Sequence, residues 1–110
     1  MRRMLLSIAL TMFAVAGLGA QDAKQVAKGK ALFEKQACAK CHQIAGKGSK
    51  MSPLDGVGSK LSAAEIKQWL TDPDTMTAKL PKKPAAKMKK VELPDADLDA
   101  LVQYMLSLKK

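Results

Sequence analysis

CAKCH, residues 38–42, holds both cysteines and the only histidine of this 110-residue chain. Cys38 and Cys41 are three positions apart, so on a helical turn their side chains face the same side. His42 follows directly and can bring its imidazole close to the two thiols. The pentapeptide therefore offers two sulfur atoms along one edge and one nitrogen ligand beside them.

The spacing C-x-x-C-H is the pattern of covalent attachment of a c-type haem. The two thiols would form thioethers with the vinyl groups on one porphyrin edge, and His42 would be the proximal ligand of the iron. A structural zinc site usually needs four ligands in two pairs, and the sequence has no second pair. A thioredoxin-like redox motif needs a βαβ context, which the sequence does not show. A plain disulfide between Cys38 and Cys41 stays open as an alternative, although it leaves His42 without a role.

Length and composition leave room for one small domain and exclude a multidomain enzyme. After residue 20 the aromatic residues are Phe33, Trp69 and Tyr104, so large core side chains are scarce. Two cysteines cannot build a scaffold of several disulfides. We therefore expect a bound cofactor to supply part of the core.

The N-terminus has the order of a secretory signal peptide. Arg2 and Arg3 precede an apolar run from Met4 to about Ala16, which small residues follow. We expect residues 1–20 to be the signal peptide, cut between residues 16 and 20, and residues 21–110 to be the domain. An uncleaved anchor is the alternative, but the run falls just short of the roughly 18 to 20 apolar residues that span a bilayer. The mature protein is then expected to be periplasmic or otherwise exported, soluble and without a stable membrane span.

Three helices are predicted from apolar spacing and capping signals. They cover Asp22–Ala37, Ala63–Leu70 and the chain after Pro94, where the apolar face is Leu98, Leu101, Val102, Met105 and Leu108. Ser62 and Glu65 form a capping box ahead of the second helix. The segments 44–62 and 71–93 are predicted to be irregular loops, the latter because of its prolines, and no strand pattern is visible. Loops this long normally have a function or wrap around something.

A haem iron that transfers electrons usually takes a second protein ligand, and methionine raises its potential. The candidates after residue 20 are Met51, Met76, Met88 and Met105. Met105 lies on the apolar face of the last helix, and Met51 follows His42 too closely to reach the other face of the macrocycle. Met76 and Met88 lie in the proline-bearing loop and remain as candidates.

These features together resemble those of a small monohaem class I cytochrome c, over a match that runs from Gly29 to Leu108. Gly29 and Phe33 are similar to the glycine and the aromatic residue of the family's first helix, which packs against the last helix at Leu101 and Tyr104. The resemblance implies an all-α fold of three or four helices, with long loops wrapped around one covalently bound haem c.

The resemblance also implies roles for individual loop residues. Residues 51–58 resemble the family's proline loop, so the carbonyl of Pro53 would accept a hydrogen bond from His42 and orient it. Met88, shortly before Pro94, matches the family's distal methionine, with lysine following it instead of the usual proline. Met76 is the runner-up.

Trp69, on the middle helix, has two open interpretations. Its ring would lie against the haem edge with the indole N–H directed at a propionate, or it would be an ordinary core residue.

The function expected on this basis is one-electron transfer between redox partners, without enzymatic activity. The alternatives are a haem protein with an open or labile distal site for a small gas or peroxide, and a haem subunit of a larger dehydrogenase or oxidase. A peroxidase would need an acid or base near the iron, and the sequence has no second histidine.

The charge distribution indicates the kind of partner. The net charge is +9 and falls to +7 once Arg2 and Arg3 are removed. A dense group of lysines predicts docking to the acidic surface of a partner protein; it consists of Lys79, Lys82, Lys83, Lys87, Lys89 and Lys90. Export and the lack of arginine after residue 20 argue against nucleic acid. We expect a monomer.

Overall fold

The computed structural model describes residues 22–110. The predicted signal peptide, residues 1–20, lies outside the described residues. The described chain forms five α-helices: α1 (Ala23–Lys35), α2 (Val57–Lys60), α3 (Ala63–Thr71), α4 (Pro73–Ala78) and α5 (Asp95–Ser107). A 3-10 turn at Cys38–Lys40 follows α1, and three short strands form β1 (His42–Ile44), β2 (Lys47–Gly48) and β3 (Ser52–Pro53).

Helices α1 and α5 pack against each other at a glycine. A Cβ atom on Gly29 would lie 2.6 Å from Cβ of Tyr104 and would also collide with the carbonyl oxygen of Ala100, so only glycine permits this approach. The rings of Phe33 and Tyr104 meet edge to face with centroids 5.8 Å apart. Leu101 is fully buried. The predicted contact between the first and last helices is confirmed.

Helix α3 begins at the predicted capping box. The Ser62 hydroxyl accepts a hydrogen bond from the backbone N–H of Glu65 at 3.2 Å, and the Ser62 N–H donates to the Glu65 carboxylate at 3.1 Å. Ile66 and Leu70 are buried in the same core cluster as α5. Because the backbone N–H groups of Ser62 and Glu65 are both hydrogen-bonded, the first turn of α3 is fixed.

The prediction that no regular element survives in segment 71–93 is wrong, because α4 forms there. Pro73 is the first residue of the helix, where its missing N–H removes no helical hydrogen bond. The Asp72 side chain caps the turn and accepts from the hydroxyl of Thr75 at 2.7 Å.

The predicted loop 44–62 is also partly regular. Strand β1 pairs antiparallel with β2 and parallel with β3, and α2 follows. Strands of two or three residues are too short to show an alternating pattern in the sequence. The described residues therefore hold more helices than the three or four expected, and a small sheet. The helices of residues 22–110 include none with the length and hydrophobicity that a bilayer-spanning segment needs.

Candidate functional site

The two thiols lie on the turn between α1 and β1. Ala37 has φ 56°, which redirects the chain after α1, and the N–H of Cys41 donates to the carbonyl of Cys38 at 3.1 Å. Cys38 is half-buried against the core cluster, whereas Cys41 is exposed, and both are free thiols. The turn thus presents one thiol at the apolar core and the other at the surface.

Burial raises the pKa of the Cys38 thiol, and the neighbouring Cys41 raises this pKa further, while a backbone hydrogen bond acts in the opposite direction. Loss of hydration disfavours the thiolate. Cys38 is therefore a neutral thiol at pH 7, and neutral thiols react slowly with oxidants.

His42 is oriented by a backbone carbonyl. Its Nδ1 lies 2.9 Å from the carbonyl oxygen of Ser52, in a position set by the parallel pairing of His42 with Ser52. A carbonyl can only accept, so Nδ1 is the donor, and in the neutral imidazole the lone pair is on Nε2. The expectation that the Pro53 carbonyl performs this role is wrong: the β1 and β3 pairing brings the preceding carbonyl to the ring, and Pro53 pairs with Gln43.

Further hydrogen bonds fix the segment that carries this carbonyl. The N–H of Ser52 donates to the carbonyl of Cys41 at 3.0 Å. Asp55 accepts from the N–H of Ala45 at 2.8 Å, where the chain turns with φ 50°. Sequence reasoning missed the roles of Ser52 and Asp55, because within segment 51–58 the resemblance identified only Pro53.

The two candidate methionines have different surroundings. Met76 is buried, with 8% of its surface exposed, and its backbone is hydrogen-bonded within α4. Met88 is half-buried and packs against the core cluster from a segment without helix or strand. Met88 also lines an open cleft with the corner between α3 and α4. Met105 is buried on α5, as its apolar position indicates, and Met51 is 56% exposed.

Trp69 lies on α3 and is half-buried. Its helix neighbours Ile66 and Leu70 belong to the core cluster, whereas the tryptophan is not among the described side chains that pack against it. In the described part of the chain its indole N–H has no hydrogen-bond acceptor. The indole ring of Trp69 and its N–H group therefore lie outside the core cluster.

These residues fit a covalently bound haem. Two free thiols lie in the same pentapeptide as an imidazole whose Nε2 makes no hydrogen bond within residues 22–110, and Cys38 and Met88 pack against the same core cluster. Half-buried apolar side chains pack against the core cluster, and an apolar macrocycle could cover part of such a surface: Val26, Leu32, Ile44, Leu54, Val57, Leu61, Val91, Leu93, Leu106 and Leu108. Among the described residues no group of three or more His, Cys, Asp or Glu side chains could hold a metal ion.

The lysine group of segment 79–90 is exposed throughout. Lys87 forms an ion pair with Asp74 at 3.1 Å. The other members have no carboxylate within ion-pair distance in residues 22–110: Lys79, Lys82, Lys83, Lys89 and Lys90. Their charge is therefore uncompensated locally, which produces a positive field around this segment.

A family model described as Cytochrome c matches residues 26–109 of the chain. The match begins within α1 and ends beyond α5, so it includes the CAKCH pentapeptide and both candidate methionines. Comparison with curated proteins and with solved structures gave no match.

Proposed function

The chain belongs to the cytochrome c family, and we propose that it is an exported carrier of single electrons whose haem iron is ligated by His42 and Met88. Membership establishes a haem-binding electron-transfer protein with a covalent haem c. The proposal adds the removal of the signal peptide on export, by a cut between residues 16 and 20, the identity of both axial ligands and the kind of partner. When bound, the haem supplies an iron that changes between two oxidation states.

The single observation that carries the proposal is the hydrogen bond from His42 Nδ1 to the Ser52 carbonyl at 2.9 Å. It fixes the tautomer, so that Nε2 is the nitrogen available to iron. It also fixes the ring plane and increases the basicity of Nε2, as such partners do for metal-bound imidazoles. Cys38 and Cys41 would hold the macrocycle through thioethers beside this ring.

Met88 is preferred to Met76 as the second ligand because its backbone is not held in a helix or strand. The backbone N–H groups of residues 81–90 make no backbone hydrogen bond within the described chain, so Met88 can be brought to iron without breaking a helix. Met76 is buried, and its backbone is held in α4. Two protein ligands would leave no open coordination site for a substrate, which favours a carrier over an enzyme.

The exposed lysines of segment 79–90 support a partner with an acidic docking surface. Uncompensated positive charge speeds the approach of an acidic protein and orients it, and salt weakens this effect. Trp69 would donate its free indole N–H to a carboxylate of the haem.

The ligand assignment is tested by replacing each methionine in the haem-loaded protein. We expect Met88→Ala to abolish the weak absorption band that reports methionine sulfur on ferric iron, because the ligand is removed. Met76→Ala is the matched control and should keep the band, even though it opens a cavity in the core. Loss of the band in Met76→Ala together with its retention in Met88→Ala would contradict the proposal.

A further inference from the structure

The chain between α4 and α5 includes residues 81–91, which we call the strap. It forms no helix or strand. Two polar contacts join it to the rest of residues 22–110: the N–H of Val91 donates to the carbonyl of Leu70 at 2.8 Å, and Lys87 Nζ lies 3.1 Å from Asp74 Oδ1. The position of the strap thus depends on few interactions.

The two polar contacts lie on either side of Met88. Residues 81–87, 89 and 90 are exposed, so Met88 and Val91 are the strap side chains that are shielded from solvent. Lys87 directly precedes Met88 in the chain. A restraint on Lys87 therefore limits the positions that the Met88 side chain can take.

Asp74 lies on a helix that is held in place by its own contacts. It lies in the first turn of α4, which Asp72 caps through the hydroxyl of Thr75 at 2.7 Å. Pro73 and Met76, on either side of it, are buried. Because α4 is anchored by these contacts, the ion pair restrains the strap rather than the helix.

We propose that Asp74 is a positioning residue for Met88, acting through its ion pair with Lys87. This inference rests on the proposed function, in which Met88 is the distal ligand. Asp74 holds Lys87 against α4, so the strap is already partly ordered before the methionine binds iron. The entropy that the strap loses on binding is therefore smaller. The side chains of Lys87 and Asp74 are 73% and 65% exposed, so the effect is modest and sensitive to salt.

The experiment measures how easily an added ligand displaces the methionine. Ferric, haem-loaded protein is titrated with imidazole, and the sulfur band reports displacement. We expect Asp74→Asn to lower the apparent Kd for imidazole roughly two- to five-fold at low salt, the range for an exposed ion pair. The difference should vanish in about 1 M salt, where the screening length is about 3 Å.

Asp99→Asn is the matched control. Asp99 on α5 pairs with Lys67 on α3 at 3.3 Å, an ion pair that includes no strap residue, and its replacement removes the same charge. We expect it to leave the Kd unchanged. Lys87→Gln should reproduce the effect of Asp74→Asn, since either change breaks the pair. If Asp74→Asn lowers the Kd and Lys87→Gln does not, the effect comes from the interaction of Asp74 with the helix dipole of α4, and the inference is overturned.

The outcomes separate the two proposals. Equal Kd values for Asp74→Asn and Asp99→Asn, with the sulfur band lost in Met88→Ala, would overturn the role of Asp74 and leave the ligand assignment intact. A sulfur band that persists in Met88→Ala would remove the ligand assignment, and the role of Asp74 with it.

Discussion

The Glu65 side chain makes the stability of the first turn of α3 depend on pH. Its carboxylate accepts from the Ser62 N–H, and its backbone N–H donates to the Ser62 hydroxyl. These hydrogen bonds to Ser62 lower the pKa of Glu65. A lowered pKa in the folded state means that the charged form contributes stability above the unfolded pKa, and that this contribution is lost as pH falls through the folded pKa.

Replacement of Glu65 by glutamine should expose this coupling. The amide oxygen can still accept the hydrogen bond, but it carries no charge and does not titrate in this range. We expect wild type to have the higher free energy of unfolding near neutral pH, and the difference to disappear in acid. Denaturant unfolding at a series of pH values measures it, with Glu92→Gln as the control for loss of one carboxylate. A difference that stays constant down to the lowest pH would contradict this origin.

The His42 contact marks the limit of residue-level prediction. The resemblance to a family predicted a carbonyl partner for His42 at Pro53, and the structure supplies a carbonyl from the same segment. It belongs to Ser52 and not to Pro53, because the parallel pairing of β1 with β3 decides which carbonyl faces the ring. Register between two such short strands depends on tertiary contacts, such as the Asp55 bond to Ala45, which no local pattern encodes.

At the scale of elements, prediction succeeded where periodicity or capping is strong. Helices α1, α3 and α5 were expected because each has an apolar face or a capping signal over two or more turns. Helix α4 was missed because Pro73 was interpreted only as a breaker. Pro73 directly follows the capping residue Asp72, and this order could have predicted a helix start, since proline is favoured in the first position of a helix.

At the scale of the whole molecule, the core is small and its margin is apolar. Within residues 22–110, eight buried residues form the cluster, and the half-buried apolar side chains around it outnumber them. Scarce aromatic residues and the CAKCH pentapeptide predicted that a cofactor completes this core. The position of Met88 relative to it could not be predicted, because the strap has no periodic pattern to fix its path.

The lysines of segment 79–90 should control reaction with anionic partners. Stopped-flow oxidation of the reduced protein by hexacyanoferrate(III) measures this, and the rate should fall as salt rises because the positive field is screened. Lys82→Glu with Lys83→Glu should slow the reaction several-fold at low salt. Lys24→Glu with Lys30→Glu on α1 is the control of equal charge change. Equal slowing by both pairs would show that net charge, rather than this lysine group, governs the rate.

We propose one haem, bound through Cys38 and Cys41, with His42 and Met88 as its two axial ligands. The visible spectrum of the exported protein, oxidised and then reduced with and without carbon monoxide, tests it most directly. We predict a low-spin c-type spectrum with the methionine sulfur band in the ferric state and no change on adding carbon monoxide. A high-spin spectrum that shifts with carbon monoxide would show an open distal site and contradict the account.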